Sequence, residues 1–384
     1  MLGFVCLLIT MVILIAGLWP FQFNPVNKVK IPDGGGLLFY GQGIVFSPGS
    51  LIMQDTTSQH SAFTIELFLC PRRETNNFVG SIFSIYGGNR DQVIFGQWKK
   101  ELIIRIPAAK VDNHRHYREI SVENALARDS THLITATSSR ETTAVYIDGH
   151  LEKIFRLFSL IPEDRQLAGH LVLGNSPEGT NPWNGTFLGM AIYDYILTSK
   201  EIHEHLHAWQ KQGQPLVSDE RASLQADKSA SLRAAKPTAM YLFDGHDREK
   251  IRDEISHNDL LIPTTFKPLR RSILGMPEKD QWLSCSNLKD VAINIVGFTP
   301  LGLFLSAWLR QFKNLTTIRV HGFSILMGFS LSLAIELIQA YIPTRDSSLL
   351  DVISNTAGTA AGSLLIKYLH PVLHAVKDDT IALL

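Results

Sequence analysis

Apolar positions crowd the two ends of this chain, while the long middle alternates apolar with polar residues. Residues 2–19 carry no charge, and the run is close to the ~20 residues a helix needs to cross a hydrocarbon layer. Three later runs, 291–309, 320–342 and 349–369, are long enough to do the same. The pattern predicts a membrane protein with a four-helix transmembrane bundle built from 1–24 and 285–372, followed by a tail at 373–384. A secretory leader is the rival reading of the first run. It lacks a basic segment in front and a small-residue cleavage pattern behind, where Trp19-Pro20-Phe21 stands instead. Those rings suit an interfacial anchor.

The middle has a different period. Residues Ala62 to Pro71 alternate as a half-buried strand stopped by proline, and 82–86, 93–97, 102–106, 132–137, 143–149, 169–174 and 185–193 repeat the pattern between turn residues. Asp148-Gly149 is a hairpin signal. Many short strands with regular turns predict an all-β antiparallel sandwich over 25–210. Residues 211–235 are polar and read as a linker or an exposed helix. Residues 239–263 return to a strand pattern, and the expectation is that 211–284 holds a linker and additional strands of the same sandwich.

Charge adds orientation. The chain has 384 residues with balanced acids and bases, so no basic surface for nucleic acid is indicated. Arg310, Lys313 and Arg319 lie between the second and third apolar runs, and Lys367 and Lys377 lie at and after the fourth. The positive-inside rule assigns these segments to the cytoplasm. Both termini are then cytoplasmic, with the sandwich and the 341–346 turn outside.

Three polar pairs interrupt the apolar runs: Asp290 with Asn294, Glu336 with Gln339, and Asp351 with Asn355. A spacing of three or four residues puts each pair on one helix face. Ionisable groups at membrane depth are costly and usually mark a site. On the predicted topology all three pairs, with Arg345, fall in the outer half of the membrane. A plainer reading is an interhelical hydrogen-bond network, which accounts for the amides better than for the acids. Gly358 and Gly362, four apart, allow close helix packing.

His203-Glu204-His205-Leu206-His207 contains the His-Glu-x-x-His spacing of zinc hydrolases. It sits at the end of the sandwich pattern without a helical catalytic domain, and none of Asp219, Glu220 or His246 stands out as a third ligand. No metal or cofactor is expected. His114 and His116 read as a solvated loop, and Asn184-Gly185-Thr186 is a glycosylation acceptor only in a cell that glycosylates. Of three cysteines, Cys6, Cys70 and Cys285, a Cys70–Cys285 disulfide is conceivable outside the cytoplasm, with free thiols the favoured reading.

The run from Lys289 through Asp290, Asn294, Phe298, Pro300 and Gly302, then Glu336, Gln339, Arg345, Asp351, Asn355, Gly358 and Gly362, resembles the signature of the VanZ-like membrane family. The first helix closing on Pro20-Phe21 is similar to that family's first helix. Phe63-Thr64-Ile65-Glu66, the Tyr146-Ile147-Asp148-Gly149 hairpin and 187–202 resemble a laminin G-like, concanavalin A-like jelly roll. The resemblance implies a bacterial inner-membrane protein associated with low-level glycopeptide (teicoplanin) resistance, in a family with no established reaction. Carbohydrate binding is common in the sandwich fold but not general.

Two functions are carried forward. One is a binding or accessory protein of the envelope, with the polar cluster receiving a lipid-linked precursor and the sandwich an envelope glycan. The alternative is a membrane enzyme acting on a lipid head group, with Glu336 or Asp351 as acid/base and Arg345 positioning phosphate. A transporter is disfavoured by four helices without a repeat.

Overall fold

The computed structural model describes residues 2–52, 61–74, 78–87, 90–112, 115–162, 167–215, 236–243, 247–276, 285–312 and 315–381. The chain divides into a β unit, 25–270, and a helical unit made of 1–24 with 271–384.

The β unit is a sandwich of two antiparallel sheets. One contains β1 (Val29–Lys30), β2 (Leu37–Phe39), β5 (Ala62–Pro71), β10 (His132–Ser139), β11 (Thr142–Ile147), β12 (His150–Arg156), β14 (Gly185–Tyr193) and β15 (Ala239–Leu242). Their order is β1-β2-β14-β5-β10-β11-β12, with β15 also on β14. The other contains β3 (Val45–Phe46), β4 (Leu51–Ile52), β6 (Gly80–Gly87), β7 (Arg90–Trp98), β8 (Glu101–Asp112), β9 (Arg115–Val122), β13 (Ala168–Leu173), β16 (Lys250–Ile251) and β17 (Leu260–Leu261). Here the order is β16-β17-β3-β13-β6-β7-β8-β9, with β4 on β13. Residues 239–261 therefore add one strand to the first sheet and two to the second. The inward faces supply one core that includes Phe63, Ile65, Phe83, Phe95, Trp183 and Phe187.

The first sheet is buried on its outer face as well. Helix α2 (Ser199–Gln212) packs there through Ile202, Leu206 and Trp209 against Phe68, Leu133 and Tyr193. Its start is fixed by a capping box between Thr198 and Glu201, and it ends on Gly213 in the left-handed region, where a side chain would be strained. Glu66 on β5 is fully buried and makes the polar contact of this layer. It is bonded to Tyr193 Oη at 3.1 Å, His205 Nδ1 at 3.0 Å and Trp209 Nε1 at 3.1 Å. A carboxylate with several partners tolerates this depth, whereas a bare one would not.

The helical unit contains α1 (Leu2–Leu18), α3 (Cys285–Leu309), α4 (Thr317–Gln339) and α5 (Leu349–Ile381). Among the described residues three helices are long and apolar enough to cross a membrane, at Asn287–Leu309, Thr317–Gln339 and Leu349–Lys367. The apolar α1 is shorter, with 17 residues. The segment expected as a tail is helical through Ile381, because α5 continues past its apolar part. Cys6, Ile335, Phe298, Leu301 and Leu305 form the apolar contact joining α1, α3 and α4.

Helices α3 and α5 approach at backbone distance. A methyl group on Gly302 would collide with the Thr359 backbone, one on Gly358 with Ile295, and one on Gly362 with the Thr299 carbonyl. Small residues at such crossings exchange side-chain volume for close contact, the device that joins helices where lipid removes the hydrophobic drive. Pro300 lies inside α3 and is exposed.

Candidate functional site at the carboxylate end of the helical unit

Alternating helix directions bring the start of α3, the end of α4 and the start of α5 to one end. Asp351, in the first turn of α5, accepts from Asn294 Nδ2 at 3.0 Å. Asp290, a turn before Asn294, is exposed and lies within electrostatic reach of Asp351. Glu336, only 2% exposed, interacts electrostatically with Asp351 in turn. Three carboxylates thus occupy one neighbourhood. Burial alone would make Glu336 costly, and the 346–348 turn offsets that cost. The Ser348 amide donates to Glu336 Oε2 at 2.7 Å, and the Ser347 hydroxyl bonds to the same side chain.

A short segment preceding α3 holds this turn in place. Leu274 N donates to Ser347 Oγ at 3.0 Å, Gly275 N to Ser347 O at 2.8 Å, and Leu349 N to Gly275 O at 3.0 Å. Arg271 stacks over the Tyr341 ring at 4.7 Å. Neither serine nor this segment stood out in the sequence, because their role is carried mostly by backbone groups, with the Ser347 hydroxyl, that no residue pattern records.

The remaining polar positions serve other contacts. Gln339 Nε2 donates to Gly17 O at 2.8 Å, and Arg345 donates to Trp19 O at 2.9 Å and Ala16 O at 3.4 Å. Both side chains satisfy carbonyls left open at the end of α1, where a cation also suits the helix dipole. Arg345 is within electrostatic reach of Glu336, yet two of its N–H groups are committed to α1. Asn355 sits deeper and donates to Ser332 Oγ at 2.9 Å. So the expected cluster divides. Asp290, Asn294, Glu336 and Asp351 gather, Gln339 and Arg345 hold α1, and Asn355 ties α4 to α5.

In the sandwich, the His-Glu-x-x-His stretch faces two ways. His203 and His207 are exposed, with ring centroids 4.8 Å apart, while His205 turns inward to Glu66. Glu204 pairs with Lys200 at 3.8 Å. Among the described residues no group of three potential metal ligands assembles. Asp219, Glu220, His246 and His114 lie outside the described residues. Asn184 is engaged, accepting from Gly41 N at 3.0 Å. Cys70 is a buried free thiol whose pKa burial pushes up, and the side chain of Cys285 lies outside the description. Asp91 on β7 is held protonated up to about 7, first by burial and then by neighbouring Glu178, with Arg270 opposing. Arg270 itself pairs with Glu178 at 3.3 Å.

These features define the chain's class as an apolar helical unit, with spans of membrane length, carrying a jelly-roll sandwich. The particular families follow from comparison. Residues 241–370 match the VanZ/LLP1 family, and residues 48–203 match the concanavalin A-like lectin/glucanases superfamily. The chain joins a VanZ-like region to a laminin G-like domain. A search of curated proteins gave no match. Among solved structures it is similar to the receptor binding domain of botulinum neurotoxin C/D mosaic serotype, at 12% identity and TM-score 0.36, covering 50% of this chain and 49% of that one. It is also similar to the binding domain of Paraclostridial Mosquitocidal Protein 1, at 15% identity and TM-score 0.34, covering 51% of each. The chain spans about half the length of these structures.

Proposed function

We propose that this is an envelope-associated binding protein of the bacterial inner membrane, whose carboxylate end receives the polar head of a lipid-linked precursor while the sandwich contacts envelope glycan. One observation carries the reading: Asp290, Asp351 and Glu336 gather at one end of α3–α5, with Glu336 buried and held by the Ser348 amide. Helix packing alone does not require three like charges together, since like charges raise the cost of an apolar site. A ligand bearing hydroxyl, amine or cationic groups would offset it. Charge bias in the loops supports placing this end and the sandwich outside, with both termini inside. A contribution to glycopeptide tolerance then follows from sequestering or shielding the precursor such antibiotics recognise.

The enzymatic alternative receives less support. It needs Arg345 for a phosphate, and that side chain already serves the carbonyls of Ala16 and Trp19. Purified protein incubated with phospholipids and lipid-linked sugars separates the two readings. Binding without product is expected; released head group would establish the enzyme instead. Reporter fusions at 313 and 346 test sidedness, with cytoplasmic signal expected only at 313.

A further inference from the structure

The opposite end of the helical unit has its own polar arrangement, which the carboxylate site does not use. His321 Nδ1 is 2.7 Å from Ser363 Oγ, Ser363 Oγ is 2.6 Å from Ser306 Oγ, and Ser306 Oγ is 2.9 Å from Ser324 Oγ. The three serines are fully buried and come from α3, α4 and α5, and the hydroxyl chain holds the imidazole at Nδ1 through Ser363. In the tautomer where Ser363 Oγ donates into Nδ1, the hydrogen of the neutral ring lies on Nε2. That Nε2 is shielded from solvent and has no hydrogen-bond partner among the described residues; the same is true of Arg310 Nε. Arg310 and Lys367 both act electrostatically on His321. No ion pair among the described residues involves Arg310 or Lys367.

A buried donor without an acceptor is costly, and a charged one more so. Two such donors beside an unpaired lysine describe a place built for an anion. The guanidinium fork suits a tetrahedral anion that offers two oxygens, and basic pockets between membrane helices bind anionic head groups. We infer that Arg310 and His321, with Lys367 at the rim, form a binding site for a phosphate group between α3, α4 and α5. The serine chain orients the imidazole, and Arg310 supplies the charge. At 1.5 Å per residue, the fifteen positions from His321 to Glu336 put this site roughly 22 Å from the carboxylate end, so the two are separate.

The test uses the full chain in detergent, with vesicles of phosphatidylglycerol or phosphatidylcholine, and inorganic phosphate alone as a further arm. Native mass spectrometry counts retained lipid. Phosphatidylglycerol should be retained preferentially, and R310Q and H321F should each lower its retention about tenfold, the loss of one charge-assisted hydrogen bond. R319Q removes an exposed charge from the first turn of α4 and should leave retention unchanged. In histidine-labelled wild type, the nitrogen resonance absent from H321F should move on adding phosphatidylglycerol. If inorganic phosphate moves it equally and displaces the lipid, the phosphate site stands with a free anion as its source. Equal loss in R319Q and R310Q would reduce the site to general surface charge and overturn the inference. A His321 resonance unmoved by lipid and by phosphate would overturn it too, even where R310Q fails to fold.

Discussion

Asn294 Nδ2 donates to Asp351 Oδ1 across 3.0 Å, joining α3 to α5 beside the carboxylates of Asp290 and Glu336. An interhelical bond of this kind contributes about 0.6 kcal/mol on average. Asn294→Ala should therefore cost less than about 1 kcal/mol in thermal unfolding of the helical unit. Ligand retention should fall much further, because Asp351 loses the group that orients it. A matching loss of stability and retention would mean that the pair is only structural.

The backbone approach of α3 to α5 is less forgiving. Gly362→Val places a branched side chain on the Thr299 carbonyl, and Gly302→Val on the Thr359 backbone. Neither neighbour can rotate away. Each variant should lose about 3 kcal/mol or more, seen as aggregation on extraction or a large drop in melting temperature. Gly297→Ala, where nothing lies within 4 Å of the added methyl, is the matched control and should be nearly neutral.

Glu66→Ala should destabilise the sandwich by about 3–5 kcal/mol, since Tyr193, His205 and Trp209 lose their shared acceptor while remaining buried. Differential scanning calorimetry of the full chain should show one transition shifted and the helical one unmoved. Proteolysis should then cut first in α2, whose attachment depends on this carboxylate.

Much of this could be read from sequence, and the limits have a physical pattern. Strand alternation places β11, whose burial alternates residue by residue, whereas β5, β10 and β14, expected to bury one face, are buried on both, and Asp148-Gly149 marks its hairpin because both residues take positive φ. The apolar runs at 291–309 and 349–369 overlap α3 and α5 because these helices are apolar on their outward faces too, where Ile293, Val296, Leu364 and Leu365 are exposed. Helical spacing predicts which face a carboxylate occupies, but not its partner. Asn294 meets Asp351 on another helix rather than Asp290, and Arg345 turns to α1 rather than to an acid. The serines at 306, 324 and 363 pass unnoticed because a lone hydroxyl in an apolar helix normally bonds to its own backbone, as Thr356 and Thr359 do here.

The sandwich should lose stability as pH rises from about 4 to about 7. Asp91 has a folded pKa raised from 3.8 to about 7, so in this window the folded state binds a proton that the unfolded chain has released. The difference bounds the effect at about 4 kcal/mol, all of it felt above pH 7. Asp91→Asn should raise the sandwich melting temperature at pH 8 and flatten its pH dependence between 4 and 7. Parallel curves for wild type and variant would remove Asp91 from the account.

The central claim is that the carboxylate end holds a ligand, and Glu336→Gln addresses it most directly. The exchange keeps size and the acceptor for the Ser348 amide while removing the charge. Native mass spectrometry of wild type and variant, extracted from the same membranes, reads bound species, with melting temperature measured alongside. The account predicts a lipid-linked species retained by wild type and lost from the variant at unchanged melting temperature. Equal retention in both, or a loss that only tracks unfolding, would contradict it.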